Sequence, residues 1–296
     1  MKALVLGGNR YFGRHLVEQL LSEGASVTLV NRGQHPDPFE KKVERIVCDR
    51  KNTDLLQMYL RGKTYDVVFD QICYDANEAR AACRVFRGVT PLYIFTSSAS
   101  VYGSGANITE SAFDPKKHRF AKTVEVTQDY AEAKRQAESA FFTDAKFRVI
   151  AARFPIVCGP DDYTSRLEFH VVGAMNGESM RFPNLYARMS FVESRAAGRA
   201  LAFLAKCPFE GPINIASEDA ISLHHLMQWI EQITGCRPKL LEGTTGAELS
   251  PFGISSDWFL STDLLKSLGY HIPPLGDWMP DLIRELYKSR KKKEAK

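Results

Sequence analysis

No stretch of these 296 residues approaches the roughly 18 consecutive apolar residues that a membrane helix needs. Lys2 leads straight into a short apolar run, leaving no room for a charged leader and signal segment, so a cytoplasmic protein is expected. Cys48, Cys73, Cys83, Cys158, Cys207 and Cys236 are scattered without a C-x-x-C pair, which argues against a zinc knuckle and a redox motif and leaves buried free thiols as the default. The seven histidines also lack ligand spacing. His224 and His225 are adjacent and would diverge on a helix, so no metal site is expected. Excess positive charge is missing from the body of the chain. The formal net charge is +4, while the segment Lys288–Lys296, with five lysines, one arginine and one glutamate, carries +5, leaving the rest near −1. Such a tail could touch nucleic acid, but the commoner role of a short charge run is a disordered, solubilising one, and nucleic acid is not the expected partner. No repeat of solenoid length is present.

What is present is a chain of 44% hydrophobic and 25% charged residues, ordinary for a globular protein and long enough for one large α/β unit with a small second lobe. The organising stretch is Lys2–Gly33. Lys2–Leu6 is an apolar run, Gly7, Gly8 and Gly13 bracket a turn, Phe12, Leu16, Leu20 and Leu21 mark one face of a helix, and Val27–Val30 supplies a second strand. Strand, tight turn, helix and strand within about thirty residues is the size of a βαβ unit. Its glycines let backbone approach a pyrophosphate, and the helix N-terminus aims amide N–H groups at the negative charge. A dinucleotide site is the implied function of this turn, with a bare strand-to-helix connection as the alternative.

Further on, residues 42–48 read as a third strand ending at Asp49, residues 55–60 as a helix, 65–70 as a fourth strand and 76–86 as a helix. Residues 91–96 form a near-continuous apolar run suited to a central parallel strand, and its end delivers Ser97, Ser98, Ser100 and Tyr102 where an open α/β sheet places chemistry. Residues 104–128 read as a polar loop, 129–142 as a helix with Tyr130 and Lys134 on one face, and 148–157 as one more strand. This alternation predicts a doubly wound parallel sheet. After Pro160 the pattern changes. A helix near 196–206, a strand at 212–216, a helix at 223–234, a turn-rich stretch at 243–256 and a last helix beginning near Leu275 or Asp277 suggest a lobe that closes over a substrate. The expected division is 1–160 for the nucleotide-binding part, 161–287 for a small α/β substrate lobe interleaved with it, and 288–296 for a disordered basic tail.

The spacing Gly7-x-x-Arg10-x-x-Gly13 resembles the loop of extended short-chain dehydrogenases with arginine in place of the middle glycine. The strand end SSASVYG and the Y-x-x-x-K pair of Tyr130 and Lys134 resemble that superfamily's catalytic set, and the chain is identified as a member of its NAD-dependent epimerase/dehydratase branch, with a Rossmann fold. The resemblance implies Ser98, Tyr130 and Lys134 as catalytic residues. Tyrosine with a reference pKa of about 10 is a poor base at neutral pH, and an adjacent ammonium favours its phenolate. Ser98 would donate to a substrate oxygen. Gly7, Gly8, Arg10, Tyr11, Phe12, Gly13, Asn31, Arg32, Asp49 and Lys134 are the implied cofactor contacts, Asp49 toward the adenine and Lys134 toward the nicotinamide ribose.

Where NAD-preferring relatives carry an acid after the second strand, this chain has Asn31 and Arg32. Nothing there would repel a 2′-phosphate, and Arg10 and Arg32 could each meet it, so NADP is the expected cofactor, with NAD as the alternative and solvated surface arginines as the plain reading. Relatives that dehydrate a hexose carry an acid pair where this chain has Ala99 and Ser100, which disfavours dehydration. The implied activity is epimerisation or carbonyl reduction by hydride transfer, on a small molecule such as a nucleotide sugar, in a chain that could form a homodimer. Asp162, Tyr163, Arg166 and Arg188 are candidate substrate contacts, weighed against ordinary salt bridging. The arginine-bearing glycine loop also resembles that of chloroplast stem-loop-binding proteins, which leaves a nucleotide- or RNA-binding protein as the alternative.

Overall fold

The computed structural model describes residues 1–246 and 248–294. The first half alternates β1 (Lys2–Leu6), α1 (Tyr11–Ser22), β2 (Ser26–Asn31), β3 (Glu44–Val47), α2 (Thr53–Leu60), β4 (Val67–Asp70), α3 (Ala76–Val85) and β5 (Leu92–Ser98), then β6 (Gly105–Ile108), α4 (Tyr130–Asp144) and β7 (Arg148–Phe154). Ala3 to Leu6 are fully buried, which is why this run becomes the central strand, covered on both faces. The helices start where polar side chains take up free amides: Asn52 accepts from Leu55 N, Asp75 from Asn77 N and Glu78 N, and Asp129 from Glu132 N.

The second half contains β8 (Ile156–Cys158), α5 (Arg166–Asn176), β9 (Ser179–Phe182), β10 (Arg188–Met189), β11 (Phe191–Glu193), α6 (Ser194–Leu204), β12 (Gly211–Asn214), β13 (Ile221–Ser222), α7 (Leu223–Thr234), β14 (Lys239–Glu242), β15 (Trp258–Leu260), α8 (Asp263–Ser267) and α9 (Met279–Glu294). The chain therefore returns to the main sheet at β12 after leaving it at β7.

The seven-stranded sheet runs β12-β7-β5-β4-β1-β2-β3 with every pairing parallel. Strand order reverses at β1, which has β2 on one side and β4 on the other, and the crevice beyond that reversal is where such sheets bind ligands. One apolar core packs α1 and α6 against a face of the sheet through Leu16, Leu20, Ala197 and Leu201. The other face carries α2, α3 and α4 through Leu56, Ala79, Ala137 and Phe141. A third core joins α5, α7 and α9 through Val171, Leu226 and Ile283. Smaller ladders complete the lobe: β13-β10-β15-β6, β11 with β8, and β14 with β9.

Four features depart from the sequence reading. Residues 104–128 are not all loop, because β6 pairs in parallel with β15, a partner some 150 residues away that local pattern cannot reveal. The strand expected over 148–157 breaks at Pro155, which has no N–H for the ladder, and β8 turns to pair with β11 instead. Helix α5 lies between Pro160 and residue 196, where the sequence reading placed no helix. The basic segment expected to be disordered continues α9 as far as Glu294. Lysine, arginine and glutamate are good helix formers, cations suit a helix C-terminus, and Arg290 Nε ties the helix to Glu168 on α5 at 2.7 Å. The final helix itself starts at Met279, after a single 3₁₀ turn at Leu275–Asp277.

Candidate functional site

A cleft of about 870 Å³ opens beyond the carboxyl ends of β1, β2, β3 and β4. Its inner wall is the turn into α1. Gly7 and Gly8 adopt φ of +90° and +84°, and a Cβ on Gly8 would lie 2.7 Å from Val5 Cγ1, so this backbone path excludes side chains. Arg10, at the cap position of α1, places no side-chain acceptor on the first helical amides. Those N–H groups therefore remain available to an anion in the cleft. Phe12 anchors the turn against Phe154, with ring centroids 5.4 Å apart. Tyr11 holds φ +54°, and its buried hydroxyl has no hydrogen-bond partner among the described residues; burial pushes its phenol well above the ordinary range.

Arg10 crosses the mouth of the cleft. Its guanidinium lies 4.3 Å from the Tyr163 ring centroid and 3.4 Å from His35 Nε2, while Asn9 Nδ2 donates to His35 O at 3.0 Å. Asn31 Oδ1 accepts from Gly33 N at 2.8 Å and shapes the turn that carries the exposed Arg32. Asp49 is exposed on the cleft wall, its Oδ1 accepting from Lys51 N at 2.9 Å. Beneath it lies a network absent from the sequence reading. Arg50 donates to Asp70 at 2.8 Å and to Glu78 at 2.9 Å, Tyr93 OH donates to Asp70 at 2.6 Å, and Tyr74 N donates to Glu78 at 2.8 Å. Acidic and basic residues at the ends of consecutive strands were the available signal.

The expected catalytic residues, Ser98, Tyr130 and Lys134, are not among the described residues that line this cleft. Tyr130 is the first residue of α4 and 41% exposed. One turn on, Lys134 is only 2% exposed. Its Nζ donates to Cys73 O at 2.7 Å and Thr96 O at 2.9 Å, and it lies 4.8 Å from the centroids of Tyr74 and Phe95 and 5.9 Å from that of Tyr130. Among the described residues no carboxylate forms an ion pair with it. Ser98 Oγ donates to Ser100 Oγ at 3.0 Å and accepts from Ser100 N at 3.1 Å, fixing the turn at the end of β5.

Two neighbours expected at the chemistry lie elsewhere. Ser97 Oγ donates to buried Glu138. Tyr102 OH donates to Asn214 Oδ1 at 2.7 Å and accepts from Arg153 Nη1 at 2.7 Å, because the chain turns inward after the 3₁₀ turn Ala99–Val101. Among the candidate substrate contacts, Tyr163 lines the cleft. Asp162 Oδ1 accepts from the Thr164 amide and hydroxyl, and Arg166 Nε donates to Thr164 Oγ1 at 3.0 Å, so both shape the turn into α5. Arg188 is not held for a diphosphate: it pairs with Asp257 at 2.7 Å and lies 4.6 Å over the Phe259 ring. Among the described residues no group of three or more His, Cys, Asp or Glu side chains is placed to hold a metal ion, and no helix is long and apolar enough to cross a membrane.

Comparison with known proteins bears on this geometry. The profile of the NAD dependent epimerase/dehydratase family matches residues 3–216. The chain is 31% identical over 139 residues to the chloroplast stem-loop binding protein of 41 kDa b of Arabidopsis thaliana, a match covering 41% of this chain and 36% of that protein. It thus spans about a third of the length of that curated relative. Its fold is similar to that of a putative epimerase from Burkholderia cenocepacia, with 18% identity over 98% of both chains and a TM-score of 0.76. It is also similar to the UDP-glucose 4-epimerase of Thermotoga maritima solved with UDP-glucose, with 14% identity over 99% of both and a TM-score of 0.76. The UDP-glucose 4-epimerase of Thermus thermophilus solved with NAD gives 17% identity over 98% of this chain and 99% of that one, with a TM-score of 0.72.

Proposed function

The chain belongs to the NAD dependent epimerase/dehydratase family, and from that premise we propose that it is an NAD(P)-dependent epimerase or reductase that moves hydride at a hydroxyl-bearing carbon of a nucleotide sugar. The observation that carries this reading is Lys134, a buried ammonium matched by dipoles and rings but by no carboxylate, one helical turn from a phenol. A buried charge without a counterion is costly. It is the arrangement expected where the missing counterion is an anion that forms during reaction, here the Tyr130 phenolate.

The residues around the cleft fit a dinucleotide. Gly7, Gly8 and Gly13 give the close backbone approach, a Cβ on Gly13 falling 3.1 Å from Gly8 Cα, and the uncapped start of α1 suits the pyrophosphate. Asp49 suits the adenine edge. Asn31 and Arg32 offer the adenosine ribose no acid and one guanidinium that is free among the described residues, which favours NADP(H) over NAD(H). Lys134 has three N–H donors, two of them committed to Cys73 O and Thr96 O, so one remains for the nicotinamide ribose. A nicotinamide held there supplies the hydride acceptor and donor. Tyr130 then takes the proton of the substrate hydroxyl as that carbon is oxidised and returns it on reduction, its phenolate stabilised by Lys134. Ser98, whose hydroxyl must turn from Ser100 Oγ, donates to the same oxygen and opposes build-up of charge on it. Ala99 and Ser100 supply no acid for elimination, so dehydration is disfavoured. The nucleotide sugar is suggested by neighbours of the same fold solved with UDP-glucose.

The test is titration of the purified protein with NADPH and NADH, followed by nicotinamide fluorescence, alongside identification of any nucleotide that co-purifies. Tighter NADPH binding is expected, and Arg32→Ala should lower NADPH affinity about tenfold while leaving NADH within twofold. Equal losses, or tighter NADH binding in the unmutated protein, would remove the NADP assignment. Failure to bind either, with RNA affinity that survives removal of residues 288–296, would move the protein to the RNA-binding reading that its chloroplast relative's name suggests.

A further inference from the structure

Tyr74 lies between the cleft and the buried lysine, and three independent constraints hold it there. Its backbone N–H donates to Glu78 Oε2 at 2.8 Å, and the same carboxylate receives Arg50 at 2.9 Å and Lys51 at 3.1 Å, so the residue is tied to the charge network under the adenosine end. Its ring lines the cleft. The ring also stands 4.8 Å from Lys134 Nζ. The residue immediately before it, Cys73, supplies one of the two carbonyls that accept from that ammonium. Burial, together with the neighbouring Tyr163 and Tyr130 phenols, pushes the Tyr74 phenol up to about 12, so at neutral pH it stays protonated and cannot compete with Tyr130 as the anion.

We propose that Tyr74 is a positioning residue of the hydride-transfer site: its ring packs against the Lys134 ammonium and fixes where that charge stands, and its exposed edge forms the wall against which the nicotinamide half of the cofactor is laid. The proposal rests on the function proposed above. A desolvated cation beside a phenol ring gains markedly from the ring quadrupole, and that gain depends on the ring rather than on the hydroxyl. Phenylalanine should therefore serve and leucine should not.

The experiment compares the unmutated protein with Tyr74→Phe and Tyr74→Leu in titrations with NADPH, NADH and ADP. ADP reports the adenosine end and continued folding, because it lacks the nicotinamide ribose. Tyr74→Leu is expected to weaken the better-bound reduced dinucleotide about tenfold and ADP by less than about twofold, and Tyr74→Phe to match the unmutated protein on both. A merely structural residue would weaken ADP and dinucleotide together, and phenylalanine would not rescue one without the other. Equal weakening of ADP and dinucleotide, or a phenylalanine variant as impaired as leucine, each overturns the inference while leaving the proposed function intact. An unmutated protein that binds ADP but neither dinucleotide overturns both.

Discussion

Two buried cations, Arg153 on β7 and Lys134 on α4, are treated by the chain in opposite ways. Arg153, on β7, is fully buried and so is Glu138, on α4. Their charges meet at 2.6 Å and 3.0 Å, and the remaining guanidinium donors go to Tyr102 OH, Glu110 O and Phe113 O. Lys134, one turn before Glu138 on the same helix, has two carbonyls, three rings and, among the described residues, no carboxylate. Every donor of the arginine is used, whereas the lysine keeps one. A closed network of this kind fixes geometry, here tying β7 and α4 to β12 through Asn214. An open one has capacity for a ligand. One helix thus carries a charge that finishes the fold and a charge that the fold leaves unfinished.

The largest expected effect breaks the closed side of this comparison. Glu138→Gln removes the only carboxylate paired with Arg153 among the described residues and should cost about 3–5 kcal/mol of stability, read as a lower denaturation midpoint with an unchanged denaturant slope. In the fraction that stays folded, NADPH affinity should change little. If instead stability were nearly unaffected and dinucleotide binding lost, the two cations would have exchanged roles.

The open side is broken by changing the tyrosine and lysine of α4. Tyr130→Phe keeps the ring and removes the titrating hydroxyl, so dinucleotide affinity should persist while single-turnover hydride transfer, followed by nicotinamide absorbance with UDP-glucose as first probe, falls by at least about 10². Lys134→Met should impair both, and Ser98→Ala only the transfer. Near-normal transfer in Tyr130→Phe would remove Tyr130 from the chemistry and leave Lys134 a buried structural cation.

Most of this was legible in the sequence where the signal is local. The turn Gly7–Gly13 follows an apolar run, opens a helix and needs residues without side chains, so its place could be read. Tyr130 and Lys134 could be read as sharing a face because helical spacing imposes it. What could not be read depends on partners distant in the chain. Arg188 is a free guanidinium until Asp257 is folded against it. Tyr102, four residues from Ser98, is drawn away by Arg153 and Asn214. Tyr74 carries no motif, and its importance comes from lying between a cleft and a lysine sixty residues further on. The C-terminal charge run was misjudged for the same reason, since its helix is anchored by Glu168.

A third buried base sharpens the comparison. His170, in the lobe, is fully buried between Phe182 and Phe252, its Nδ1 donating to Arg166 O at 2.9 Å and its Nε2 accepting from Ser250 Oγ at 2.8 Å. Like Lys134 it has no carboxylate, but imidazole can give up its proton cheaply, and burial lowers its pKa from 6.5 to about 3. The unfolded chain therefore binds a proton below pH 6.5 that the folded protein refuses until about pH 3, so the contribution is complete above pH 6.5 and is lost as pH falls. At pH 5 the loss should be about 2 kcal/mol. His15 opposes this: burial works against its charge, but the Asp161 carboxylate 3.6 Å away and the hydrogen-bonded Glu18 carboxylate outweigh burial and raise its pKa, a stabilisation present below pH 6.5 and lost as pH rises through the raised value. Denaturation midpoints measured at pH 8 and pH 5 should separate the two. His170→Gln should lower the midpoint at pH 8 and flatten the fall toward pH 5, whereas His15→Gln should steepen it. A fall of unchanged steepness in His170→Gln would mean that the lobe's buried imidazole is charged, and that a base here does not need a carboxylate or a ligand to keep its proton.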